Sequence, residues 1–172
     1  MRDCISSLCT ELMTPGLLPL LIPTSNNEMN MDTDCVRLNP HAIEPFNLKK
    51  FMFLGYFLGW SLRTMGGLGI DLPLAFWHRV CIGPSYMYTL EDLKSMDLYR
   101  FNELNQYIEA AELLSDEDFN ATYDGYMFEG GIGYPLGDVE LCEGGSSKPL
   151  RRENVKEYVQ LYLKKYTEQE NP

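Results

Sequence analysis

A chain of 172 residues is long enough to remove about 70% of its unfolded surface from water, so neither a metal nor a disulfide is needed to hold it folded. With 45% hydrophobic and 23% charged residues, the composition is globular rather than disordered. Twenty-five acidic against 14 basic residues give a formal net charge of -11, which argues against nucleic acid or an anionic membrane as the main partner.

Residues 101–147 contain no Lys or Arg and hold eleven acids, running from Glu103 to Glu143 and including Glu117 and Asp118; the rest of the chain balances, 14 acids (25 − 11) against 14 bases. Such a stretch attracts a basic partner; the alternative is a solvated acidic face that binds nothing. The five cysteines, Cys4, Cys9, Cys35, Cys81 and Cys142, show no disulfide framework. Cys4-x4-Cys9 lacks the second close pair a zinc site needs, so no metal is expected. Reduced thiols fit the cytoplasm or nucleus. Asp3, Glu11, Pro15, Pro19 and Pro23 interrupt the N-terminal region, which has no secretory pattern. The most hydrophobic run, 51–62, is flanked by Lys49, Lys50 and Arg63 and is too short for a bilayer.

In chain order, a short helix is expected over 5–13, stopped by Pro15-Gly16, then a strand or extended segment over 17–23 and a polar loop over 24–34. Val36-Arg37-Leu38 reads as a second strand ended by Asn39-Pro40. After Pro45, Phe46, Phe53, Phe57 and Trp60 recur at helical spacing through Thr64, and Gly55 and Gly59 on one face would admit a closely packed neighbour. Residues 66–69 read as a plain glycine turn, because no Lys-Ser/Thr follows to make a phosphate loop. Pro73 suits the first turn of a helix through Val80.

Thr89 and Asp92 form a capping-box pattern opening a helix to Met96, and Asp97 caps the next, in which Leu98, Phe101, Leu104, Tyr107 and Ile108 share a face. Over 121–150 the pattern changes. Tyr123, Tyr126, Phe128, Val139 and Leu141 are strand formers, with Gly130-Gly131, Gly137 and Gly144-Gly145 as turns. A final helix over 153–166 aligns Val155, Tyr158, Val159, Tyr162 and Tyr166. The fold class is α+β, mainly helical with a small antiparallel β insert.

No catalytic constellation emerges from the residues alone. His41 and His78 lie far apart, no nucleophile sits in a recognisable elbow, and Asp116 with Asp118 reads as an acidic helix start rather than a glycosidase pair. The residues themselves lead no further than a helical domain with an acidic, tyrosine-rich, interaction-prone insert.

Several strings do carry a resemblance when taken in order. They are Phe53-Leu54-Gly55-x3-Gly59, Leu62-Arg63-Thr64, Asp71-Leu72-Pro73 with Phe76-Trp77, Thr89-Leu90-Glu91-Asp92-Leu93, Asp97-Leu98-Tyr99, Val139-Glu140-Leu141-x2-Gly144-Gly145 and Glu153-Asn154-x2-Glu157-Tyr158-Val159. Together they resemble the N-terminal lobe of a HECT-type ubiquitin ligase over residues 8–166. Leu20-Leu21-Ile22-Pro23-Thr24 and Leu38-Asn39-Pro40 fit the start of that lobe and give it a likeness to the large HERC ligases.

The resemblance implies a partial HECT domain over 1–172: part of the large helical subdomain over 1–96, a docking insert with β hairpins over 97–150, and a returning helix and tail over 151–172. It implies that a ubiquitin-conjugating enzyme docks here, with ubiquitin engaged indirectly and the substrate protein unspecified. In the family, a cysteine of the C-terminal lobe within Thr-Cys-Phe accepts ubiquitin as a thioester. None of the five cysteines has those neighbours, so the chain is expected to lack the catalytic lobe and to be inactive in transfer. No cofactor is implied.

Carried over position by position, the walls of the docking groove fall on Leu98, Leu104, Tyr107, Phe119, Tyr158 and Tyr162, with Glu117 and Asp118 at the edge; Leu104 and Tyr107 require a one-residue shift within 100–103. Truncating Tyr158 as a central anchor is expected to cost docking about 2 kcal/mol. Arg151 replaces the family's usual Thr before the last helix, so that helix start is expected to fray. Two other readings remain: a non-catalytic module that sequesters a conjugating enzyme, and an unrelated helical enzyme.

Overall fold

The computed structural model describes residues 2–14, 17–31, 34–64, 67–131 and 138–169. They divide into two compact units, one within residues 1–84 and one spanning 85–169. The fold is mainly helical with two small antiparallel sheets, in agreement with the α+β expectation.

The first unit opens with α1 (Arg2–Met13), followed by β1 (Leu21–Pro23), α2 (Ser25–Glu28), β2 (Val36–Leu38), α3 (Pro45–Thr64) and α4 (Leu74–Ile82). Strands β1 and β2 pair antiparallel in the register Leu21↔Leu38, Ile22↔Arg37, Pro23↔Val36. Buried Thr24 caps α2, its hydroxyl accepting from the Asn27 N–H at 3.2 Å. Leu12, Leu20, Leu21, Val36, Leu54 and Leu72 form the core.

Four expectations for this unit need correction. The polar loop expected over 24–34 holds the short helix α2, because the Thr24 hydroxyl caps it. The strand begins only at Leu21, because residues 17–20 form turns, with Leu17 N–H bonded to Thr14 O, and Pro19 has no N–H to offer a ladder. Pro73 is the residue before α4 rather than in its first turn. Among the described residues Gly55 and Gly59 have no close neighbour: a Cβ at either would meet nothing within 4 Å. Of the glycine turn, Gly66 lies outside the described residues, while Gly69 has φ 63°.

The second unit contains α5 (Leu90–Met96), α6 (Leu98–Leu113), α7 (Asp116–Thr122), β3 (Glu129–Gly131), β4 (Asp138–Glu140) and α8 (Val155–Gln169), the last entered through a 3₁₀ turn, Arg152–Asn154. The caps follow the residue types. Asp92 N–H donates to Thr89 Oγ1, while Thr89 N–H donates to Asp92 Oδ2 at 2.9 Å. Tyr86 donates to the same carboxylate oxygen at 2.6 Å, so buried Asp92 is well satisfied. Asp97 accepts from Arg100 N–H, and Ser115 accepts from Asp118 N–H.

Helices α5 and α6 pack together, and α6 packs on α8. Arg152 ties the α8 entry to the far end of α6 and to α7, donating to Ala111 O and pairing with Asp116 at 2.6 Å. The α8 entry is not frayed by Arg151: Asn154 Oδ1 accepts from Arg151 N–H at 2.8 Å, and its amide donates to Pro149 O. A side chain three residues on thus reaches back to the N–H before the turn, the reciprocal half of a capping box.

The β insert is smaller than its strand formers suggest. Of those five residues only Val139 lies in a strand, while Tyr123 closes α7 through its N–H to Phe119 O. Phe128 N–H is shared between Gly145 O and Lys148 O, so loops rather than a ladder satisfy it. Gly130 and Gly131, expected as a turn, belong to β3, paired Gly130↔Val139 and Gly131↔Asp138. Gly137 lies outside the described residues. At Gly145 a Cβ would collide with the carbonyl of Phe128, so that position requires glycine.

Candidate functional site

The second unit is built around tyrosine. Helical spacing turns Tyr158, Tyr162 and Tyr166 of α8 inward, and neighbouring rings along this row lie 6.5 and 6.4 Å apart. Tyr107 of α6 meets Tyr158 edge-on at 5.8 Å, Tyr123 at 5.2 Å and Tyr126 at 6.1 Å, an arrangement favoured by the ring quadrupole. Phe128 joins Tyr158 edge-on at 5.4 Å.

Beside this row lies a cleft of about 370 Å³ lined by Arg100, Glu103, Tyr107, Tyr126, Tyr158 and Tyr162 and by the residues of β3. Glu103 bridges two of these side chains: Oε2 pairs with Arg100 Nη1 at 2.7 Å, and Oε1 accepts from the Tyr107 hydroxyl at 3.0 Å. Burial works against the Arg100 cation, but the Glu103 bond and the nearby carboxylates outweigh it, so its pKa is held above the ordinary value. Burial, then the Glu103 charge, pushes the Tyr107 hydroxyl up; burial does the same at Tyr162. Arg100 against Glu103, Asp124 and Glu129 leaves the cleft at 1 − 3 = −2, so a cation beside an apolar group would be favoured there.

Of the eight positions expected from sequence, the cleft gathers Tyr107, Tyr158 and Tyr162. Leu104 and Phe119 are fully buried at 0% exposure and do not line the cleft. Leu98 is half-buried at the start of α6 and does not line the cleft. Glu117 and Asp118 are exposed in the first turn of α7, outside the cleft lining. Sequence reasoning missed Arg100, Glu103, Tyr126 and Gly130. Glu103 stands four residues before Tyr107 and three after Arg100, a spacing that already places the three on one helical face.

Among the described residues no three or more His, Cys, Asp or Glu side chains gather as a metal site, and no helix is long and apolar enough to cross a membrane. Cys9 and Cys35 are buried, Cys142 is half-buried and Cys81 is exposed. Burial raises the Cys9 thiol, away from the thiolate form that attacks.

The family model described as HECT-domain (ubiquitin-transferase) matches residues 6–171. Proteins named E3 ubiquitin-protein ligase HERC2, from Mus musculus and Homo sapiens, are each 34% identical over 163 residues. That match covers 94% of this chain and 3% of either relative, so the chain corresponds to a small part of their length. The match runs almost end to end and includes the capped helices, the tyrosine row and the β insert around the cleft: the chain belongs to the HECT-domain family.

Proposed function

We propose that this chain is the docking portion of a HECT-type ubiquitin ligase, in which residues 97–150 and α8 receive a ubiquitin-conjugating enzyme. The observation that carries the reading is the cleft beside Tyr107, Tyr158 and Tyr162, with Glu103, Asp124 and Glu129 around it. It suits an apolar tip flanked by basic residues. Exposed Glu117 and Asp118, within a stretch free of Lys and Arg, extend the negative field and speed encounter. Transfer itself needs a thiolate nucleophile, and none of the five cysteines lies between Thr and Phe; the chain binds without accepting ubiquitin.

The test is to immobilise a panel of purified ubiquitin-conjugating enzymes and flow the chain over each. At least one binds, and its association rate falls from low to high salt. Because Tyr158 is buried, Tyr158→Ala would damage the fold as well as the cleft, so the informative variant is Tyr126→Ala, at the exposed lip. It weakens binding at least about tenfold. A flat salt response with full affinity in Tyr126→Ala would reject the site. A reducible ubiquitin adduct on the chain would reject the binding-only role.

A further inference from the structure

The three tyrosines of the cleft are almost covered: Tyr107, Tyr158 and Tyr162 are 3%, 6% and 1% exposed. Two of their hydroxyls are tied to a single strand. Tyr158 donates to the carbonyl of Glu129 at 2.8 Å and Tyr162 to the carbonyl of Gly131 at 2.9 Å, so both ends of β3 are fastened to α8. Between them, Gly130 lies against the Tyr162 ring, where a Cβ would come within 2.7 Å of the ring carbon Cε2. The strand rests on the rings because its central residue has no side chain.

Besides these fastenings, β3 is held by its ladder to β4 and by the Leu141 side chain against Gly130. Two of its three residues are glycines, and its ladder to β4 is three residues long. Hydrogen bonds between neutral groups add only modest net stability, and short elements of this kind open locally while the rest of a domain stays folded. An apolar tip gains most by covering ring faces, and here the strand covers them.

We propose that Glu129–Gly131 is a latch over the tyrosine floor, and that a conjugating enzyme docks on the minor state in which Tyr158 and Tyr162 have released the two carbonyls. This inference rests on the docking reading above. Closure lowers the apparent affinity by the fraction of chains that are open. It also imposes selection, since only a partner tip that gains more from the rings than the latch loses can hold the site open.

The test uses the full chain, the same panel of conjugating enzymes and hydrogen exchange on the free protein. Tyr158→Phe and Tyr162→Phe keep the rings and delete the fastenings. Each tightens binding roughly three- to tenfold, and each speeds amide exchange in β3 without changing α6. Gly130→Ala opens the same latch by a different means, a methyl wedge, and moves affinity in the same direction. If the wild type binds and the two Phe variants bind equally or more weakly, with α6 and α8 still protected, the latch is rejected and the docking reading stands. If no enzyme binds the wild type or any unlatched variant, both fall.

Discussion

Helices α3 and α8 both carry aromatic side chains at helical spacing. Phe53, Tyr56 and Trp60 of α3 are 54%, 74% and 43% exposed, whereas Tyr158, Tyr162 and Tyr166 of α8 are 6%, 1% and 2% exposed. The difference lies in what occupies the other face. In α8, Lys156, Glu157, Gln160, Lys164 and Glu168 face water, so only one stripe is left to bury. In α3, Asn47, Leu54 and Ser61, seven apart, are the buried residues, and the exposed side is mostly apolar apart from Lys49 and Arg63. Periodicity fixes which side is buried only when the opposite side is polar.

The contrast is open to direct attack, and the largest expected effect comes first. Phe119 is fully buried with its ring 4.7 Å from that of Tyr123, so Phe119→Ala costs about 3–5 kcal/mol. Phe53→Ala, on exposed α3, costs within about 0.5 kcal/mol. Urea unfolding separates the two units spectroscopically: Trp60 and Trp77 lie in the first, and of eleven tyrosines all but Tyr56 lie in the second. Equal losses for the two variants would mean that α3 and α8 do not differ as described.

Alkaline pH acts on the same buried tyrosines. Burial raises the hydroxyl pKa of Tyr107 and Tyr162 in the folded chain, whereas unfolded tyrosines ionise near about 10. Deprotonation therefore favours the unfolded state: the stabilisation is complete below about pH 10 and is lost as pH rises above it. Ionisation of Tyr107 and Tyr162, followed residue by residue by NMR, is expected only together with loss of the folded signal of residues 85–169. Gradual ionisation of these two rings with the fold intact would show that they are accessible to water.

Much of this architecture was legible from residue type. Thr89 with Asp92, and Asp97, announced two helix starts because a short polar side chain before an apolar row has few other uses. The strand Val36–Leu38 and the stripe of α8 were equally plain. Gly130-Gly131 misled, because glycine signals a turn locally, while here it signals the ring of Tyr162 lying against the strand. Tyr107, Tyr158 and Tyr162 could be named as a group, but Leu104 and Phe119 could not be told from them. A helical period marks the inward face and is silent on whether that face meets another side chain or a cleft. The spacing of Arg100, Glu103 and Tyr107 places them on one helical face, but it does not say that the face borders a cleft.

The caps give a smaller effect, equal across the two units. Thr24 begins α2 in the first and Thr89 begins α5 in the second, each accepting from an N–H three residues on at 3.2 Å. Thr24→Ala and Thr89→Ala should each cost about 1 kcal/mol, read as similar shifts of the tryptophan and tyrosine unfolding midpoints. A cost confined to one unit would indicate that the units differ in more than their aromatic rows.

The smallest effect on stability carries the most information about α3. Phe53 and Tyr56 make up part of an exposed apolar face, and around Gly55 and Gly59 that face has room for a close neighbour. Contiguous apolar surface beyond a few hundred Å² drives association, so the chain should self-associate as concentration rises. Phe53→Ser with Tyr56→Ser removes apolar area without touching the buried stripe of Asn47, Leu54 and Ser61. Unfolding should shift by less than about 0.5 kcal/mol, while sedimentation shows a clear loss of association. If the double variant associates as strongly as the wild type, the sticky surface lies elsewhere, and the exposure of α3 has no consequence for how the chain behaves in solution.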